Sequence, residues 1–221
     1  MITRILVSLA LGATSLLAED LFNGKDLTGW DGNPEFWSVE DGVIVGETTA
    51  DKATKANTFL IWEGGELADF ELTLKARVTG NNNSGVQYRS KVLDPKTWSV
   101  GGYQMDMHPK QEFFAMLYEE RGRGIAAKRG QKVVLEAGAK PKEVGKVDMS
   151  KELKLSEWNE FKLIAKGNHV IHMVNGDVTA EITDNDEAKR ALSGILALQL
   201  HAGKPMKLEV KDIVLKRLKA E

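Results

Sequence analysis

The chain has no cysteine. That excludes a disulfide scaffold, a thiol nucleophile, a thiolate zinc site and a lipid-modified cysteine anchor. Neither sign of charge dominates: 30 Lys and Arg face 32 Asp and Glu. No basic field exists to gather nucleic acid, and no acidic tail is present. Long apolar segments are scarce as well. The single run, Ile5–Leu17 behind Arg4 in "MITRILVSLALGATSLLAED", is short for a bilayer span and fits the h-region of a secretory signal. Residues 1–18 are therefore expected to be a signal peptide, cleaved after Ser15 or Ala18. The remainder, 19–221, is expected to be one exported domain, periplasmic or extracellular, without integral membrane contact. No internal repeat, G-x-S-x-G elbow, P-loop or dinucleotide fingerprint occurs.

What is present is period two. In "DFELTLKARV" (Asp69–Val78), Phe70, Leu72, Leu74, Ala76 and Val78 share one face, and Glu71, Thr73, Lys75 and Arg77 the other. This pattern predicts a half-buried antiparallel strand. "EFKLIAKG" repeats it, and "HVIHMVNGDVTAEI" predicts a hairpin about Asn175-Gly176, a pair suited to a type I′ turn. "MKLEVKDIVLKRL" alternates and then shifts phase at Asp212-Ile213, as at a bulge. Further short strands are expected at Val43–Gly46, Thr58–Trp62, Gly85–Ser90, Phe114–Glu119 and Ile195–His201. About ten or more strands joined by Gly, Asn and Asp turns imply an all-β sandwich. Arg121–Ser156 is charged and Gly-rich with a weak strand signal at Lys132–Leu135, and reads as one long loop excursion.

One stretch breaks the ordinary pattern. In "GGYQMDMH" (Gly101–His108), Tyr103, Met105 and Met107 point one way, and Gln104, Asp106 and His108 the other. The same parity gives Gln87 with Arg89, and Gln199 with His201. Solvent-facing strands favour Lys, Glu and Thr, whereas this stripe is amide-rich and Lys-poor. If these strands share a sheet, its outer face is a polar platform suited to sugar hydroxyls. His108, before Pro109, is expected at its rim. "GNNNSG" (Gly80–Gly85) is a turn and lacks the carboxylates of a calcium loop. "RGRG" (Arg121–Gly124) is expected to be a solvated turn, with an anion site as the alternative. His169 and His172 face opposite ways and make no metal pair.

An ordered series of segments carries a resemblance: "LFNGKDLTGW", "WSVEDGVIVG", "DFELTLKARV", "NSGVQYRS", "GYQMDM", "LYEERGRG", "EWNEFKLIAKGNHVIHMVNG" and "GILALQLHAG". Together they resemble the 3-keto-disaccharide hydrolase family across nearly all of residues 19–221. The resemblance implies a concanavalin A-like jelly-roll sandwich of two antiparallel sheets and a substrate oxidised at sugar carbon 3. A ketone there acidifies the C2 proton, so that deprotonation expels the C1 aglycone and water adds afterwards. On this reading Asp106, Glu119 and His201 are the proton-transfer candidates. Arg89, Gln104, Tyr118, Arg123 and Gln199 are the substrate-binding candidates. No organic cofactor is implied. A divalent ion is an alternative use of Asp106, Glu119 and His201. The expected partner is an oligosaccharide or glycoside. Two rival classes are a non-catalytic carbohydrate-binding module and a two-carboxylate glycosidase. The second is disfavoured because "YQMDMH" has Gln where the first acid of a lectin-fold glucanase would stand.

Overall fold

The computed structural model describes residues 18–80 and 82–219; the expected signal segment lies, but for Ala18, outside them. In chain order the first strands are β1 (Glu19–Asp20), β2 (Trp30–Asp31), β3 (Trp37–Glu40), β4 (Val43–Thr48), β5 (Thr58–Trp62), β6 (Phe70–Gly80), β7 (Ser84–Asp94) and β8 (Ser99–Met107). After a 3₁₀ turn, Gln111–Phe113, come β9 (Leu117–Glu120), β10 (Gly124–Ala127), β11 (Gln131–Leu135) and β12 (Lys142–Lys146). The chain ends with β13 (Asn159–Lys166), β14 (His169–Val174), β15 (Asp177–Asp184), β16 (Ile195–Leu200) and β17 (Met206–Arg217).

They form the two sheets of an all-β jelly-roll sandwich. A ten-stranded sheet runs β12-β11-β15-β14-β13-β6-β17-β4-β3, with β1 beside β17; a seven-stranded sheet runs β10-β9-β8-β7-β16-β5-β2. Pairing is antiparallel except for β11 with β15, which is parallel. The apolar rows predicted by alternation meet between the sheets. Phe70, Leu72 and Leu74 of β6 and Phe161 and Leu163 of β13 pack toward Tyr103, Met105 and Met107 of β8 and Leu196, Leu198 and Leu200 of β16. Burial of these rows is the main stabilising term.

Two predicted local features appear as drawn from the residues. Asn175 and Gly176 both have positive φ, +51° and +85°, as a type I′ turn requires. On β17 the register slips between Lys211 and Val214, with Asp212 at φ +52°. The excursion after Arg121 is more structured than expected: besides β11, where a weak strand signal was read, it holds β10 and β12. β12 is a mostly exposed edge strand, so it needs no apolar alternation and left none in the sequence. The strand expected from Phe114 begins only at Leu117, because the 3₁₀ turn and the positive φ of Ala115 (+58°) precede it.

Candidate active site

On β8 the pleat that sends Tyr103, Met105 and Met107 into the core sends Gln104 and Asp106 to the opposite face of the smaller sheet. β7 and β9 flank β8 there, with Gln87 opposite Gln104 and Gln104 opposite Tyr118. The amides join into a directed row. Ser90 Oγ donates to Gln87 Oε1 (2.6 Å), Gln87 Nε2 to Gln104 Oε1 (2.9 Å), and Gln104 Nε2 to Asp106 Oδ1 (3.1 Å). Gln104 Nε2 also reaches Gln199 Oε1 at 3.4 Å, and Asn83 Nδ2 donates to Asp106 Oδ1 at 3.0 Å. Gly85 makes room for this floor: a Cβ there would stand 2.5 Å from Gln104 Cδ. Gln87 and Gln104 are satisfied by their neighbours and so can be fully buried; Gln199 is buried beside them, its Oε1 accepting from Gln104 and its Nε2 without a partner among the described residues.

Above the floor lies a cavity of about 290 Å³, near the small end of the roughly 300–1,000 Å³ range of ligand sites. Its polar wall is Asn57, Asn83, Gln104, Asp106, His108, Tyr118, Glu120 and His201, and its apolar wall Phe113, Met116 and Ile125. Burial pushes the Asp106 carboxyl up to about 7; the Asn83 and Gln104 hydrogen bonds oppose this, and the charge of Glu120 adds to it. Tyr118 is raised by burial and by the carboxylates of Glu120 and Asp106. His108 is lowered by burial first, then by Lys110 and His201. Asn57 braces the far wall: Nδ2 donates to Glu120 Oε2 (3.3 Å) while Oδ1 accepts the Ala202 N–H (3.0 Å).

Of the expected site residues, Gln104, Asp106, Tyr118 and His201 converge on this cavity, and Gln199 lies in the floor that supports Gln104. His108 is part of the wall and not merely at the rim. Three do not converge. Arg89 stands at a bulge, where the register slips between Tyr88 and Lys91 and its own φ is +46°. The slip turns its side chain out of the row; Nε donates to Ala68 O (2.8 Å), Nη1 to Gly167 O (2.6 Å), and Nη2 to Asp69 Oδ1 (2.9 Å). Glu119 lies opposite Tyr103, so it faces inward, and binds Arg123 Nε at 2.5 Å. Arg123 is held in turn by Asp184 (Nη2–Oδ2 2.5 Å), tying the sheets together away from this cavity. The possible metal set fails for the same reason, since Glu119 is on the other face from Asp106. Among the described residues no group of three or more His, Cys, Asp or Glu is placed to hold a metal ion.

Glu120, Asn57 and Asn83 were missed. Glu120 was recoverable, since it shares the parity of Tyr118, two residues back. Asn57 and Asn83 precede β5 and β7 in turns, where alternation gives no signal.

Comparison with known proteins bears on this geometry. The family model for a 3-keto-alpha-glucoside-1,2-lyase-like domain matches residues 17–216. A 3-keto-disaccharide hydrolase of Bacteroides thetaiotaomicron is 25% identical over 186 residues, 73% of this chain and 57% of that protein. The chain thus spans little more than half the length of that relative. A candidate glycosyl hydrolase from Parabacteroides distasonis has the same fold, with a TM-score of 0.62 at 22% identity over 96% of this chain and 99% of its own. So does the carbohydrate-binding module CBM66 from Bacillus subtilis, with a TM-score of 0.56 at 12% identity over 85% and 95%.

Proposed function

Because this chain belongs to the 3-keto-alpha-glucoside-1,2-lyase-like domain family, we propose that it cleaves 3-keto-glycosides by elimination across C1 and C2, with hydration completing a net hydrolysis. One observation carries the reading: a buried carboxyl, raised to about 7, on the floor of a sugar-sized cavity among amides, a tyrosine and two histidines. Perturbed acids in clefts are the usual mark of proton transfer.

The chemistry asks for little else. A base takes the C2 proton, and the electron pair is held on the C3 oxygen as an enolate. When that pair returns, the C1–C2 double bond forms, the C1–O bond breaks, and the aglycone oxygen takes a proton. Water then adds across the double bond to give the 3-keto sugar. Asp106, raised by burial to about 7 and so holding its proton far better than an ordinary aspartate, is suited to give the aglycone its proton. Its Oδ1 is held by Asn83 and Gln104, which fixes the carboxyl plane. Gln104 and Asn83 orient the ring, and Tyr118 and Phe113 offer flat apolar faces to its C–H groups. Export, read from the N-terminal run, would place the enzyme where glycosides arrive; intact mass of material from an exporting host tests cleavage after Ser15 or Ala18.

The second reading, a non-catalytic sugar-binding module, is favoured by the likeness to CBM66. Proton NMR of a 3-keto-glucoside incubated with the protein separates the two. A vinylic C1 proton, or free 3-keto-glucose, is expected. Line broadening of an unchanged glycoside would support the binding module.

A further inference from the structure

Two histidines enter the same cavity wall, and their neighbours assign the proton on each ring. His201 Nδ1 is 2.7 Å from the carbonyl oxygen of Ala202. A carbonyl can only accept, so Nδ1 carries the hydrogen and the neutral ring leaves a lone pair on Nε2. His108 is the reverse. Its Nδ1 accepts the backbone N–H of Lys110 at 3.0 Å, so Nδ1 is bare and the hydrogen is on Nε2.

Both assignments are braced. Asn82 Nδ2, with two hydrogens to give, lies within donating distance of the carbonyl oxygens of His201 (3.1 Å), Ala202 (3.2 Å) and Lys204 (3.0 Å), and Asn57 Oδ1 accepts the Ala202 N–H. Asn82 thus holds the Ala202 carbonyl that sets the His201 tautomer, and Asn57 holds the peptide before it. For His108, Pro109 fixes the turn that brings the Lys110 N–H back onto the ring. Phe113 packs edge-on against the ring, with centroids 5.1 Å apart.

We infer that His201 and His108 are a matched pair of opposite tautomers, His201 offering an Nε2 lone pair as the base and His108 an Nε2–H as the donor to the developing oxyanion. The catalytic half of this inference rests on the 3-keto-glycoside reading. His201 Nε2 takes the C2 proton and becomes imidazolium. The pair left on C2 moves to the C3 oxygen, which His108 Nε2–H stabilises. The pair returns, the C1–O bond breaks, and Asp106 gives its proton to the departing oxygen and becomes a carboxylate. His108 thereby gains a catalytic role that its place before Pro109 did not suggest.

The test has two arms. Long-range ¹H–¹⁵N spectra of histidine-labelled protein, with His108→Gln and His201→Gln for assignment, should show the Nδ1–H tautomer at His201 and the Nε2–H tautomer at His108. A shared tautomer overturns the pairing. In the second arm, deuterium exchange at C2 of 3-keto-glucose in D₂O reports the base step alone. His201→Gln should slow it by about a hundredfold or more. His108→Gln, whose amide N–H can stand where Nε2–H stood, should stay within about tenfold of the parent, and His108→Phe should lose about a hundredfold. Parent-like thermal melting shows that each variant is folded. Exchange that is equal in His201→Gln and the parent overturns the assignment and leaves the 3-keto-glycoside reading standing. A parent protein that exchanges nothing overturns that reading and the catalytic roles together, and the spectra then decide the tautomers by themselves.

Discussion

Asp106 couples function to stability with opposite signs. Its folded pKa, about 7, lies above the ordinary aspartate value. Between about pH 4 and 7 the unfolded chain gives up this proton and the folded one keeps it, so this group's contribution falls as pH rises through that window. Asp106→Asn keeps the shape and removes the cost. It should lose about a hundredfold or more in rate while raising the melting temperature relative to the parent more at pH 8 than at pH 4. A parent-like rate would contradict the catalytic role, and a melting difference independent of pH would contradict the effect on stability. Glu120 raises Asp106 through its charge, so Glu120→Gln should move the alkaline limb of the pH–rate profile to lower pH. Glu119→Gln should leave that limb in place and lower stability instead, because Glu119 pairs with Arg123 between the sheets. A pH–rate series on both variants decides this. Alternation made Gln104, Asp106, Tyr118 and His201 legible, since the first three stand on regular strands and His201 directly follows β16. It misplaced Arg89, whose bulge left no mark in "SGVQYRS", and it chose Glu119 over Glu120 although the parity of Tyr118 favours Glu120.

Strands and turns were legible where one face is buried and hidden where none is. β6, β13 and the β14–β15 hairpin have one face in the core, so their period-two patterns are strong. β12 is an exposed edge and β10 is very short, so the excursion from Arg121 showed only the weak signal of β11. The hairpin turn gives a check on this reasoning. Asn175 adopts φ +51°; its Oδ1 accepts the Glu160 N–H and its Nδ2 donates to Asn159 Oδ1, both at 2.9 Å. Asn175→Ala should cost about 1–2 kcal/mol from the left-handed backbone, with more from the lost hydrogen bonds. The urea midpoint should fall with an unchanged slope, and activity should hold. An unmoved midpoint would show that the turn does not set the register.

Across the whole molecule the sheets are joined by polar ties as well as by apolar rows. His172 is buried between them; its Nδ1 donates to Ala115 O (3.0 Å), and its Nε2 accepts the Tyr88 hydroxyl (2.9 Å). Burial holds its pKa down at about 4. The unfolded chain takes up this proton near pH 6.5 and the folded one only near 4, so stability drops as pH falls through that window. His172→Gln should be less stable at pH 7 and lose less between pH 6.5 and 4, as read by urea midpoints; an unchanged pH slope would remove His172 as the acid-sensitive tie. The same scaffold presents, on its outer face, the cavity whose chemistry is the main issue. Release of 4-nitrophenol from 4-nitrophenyl 3-keto-glucoside, measured beside release from the unoxidised 4-nitrophenyl glucoside, decides it. Rapid release from the keto substrate alone is the expected result. Equal release from both substrates, or tight binding of the keto substrate with no release, would contradict elimination at a 3-keto sugar.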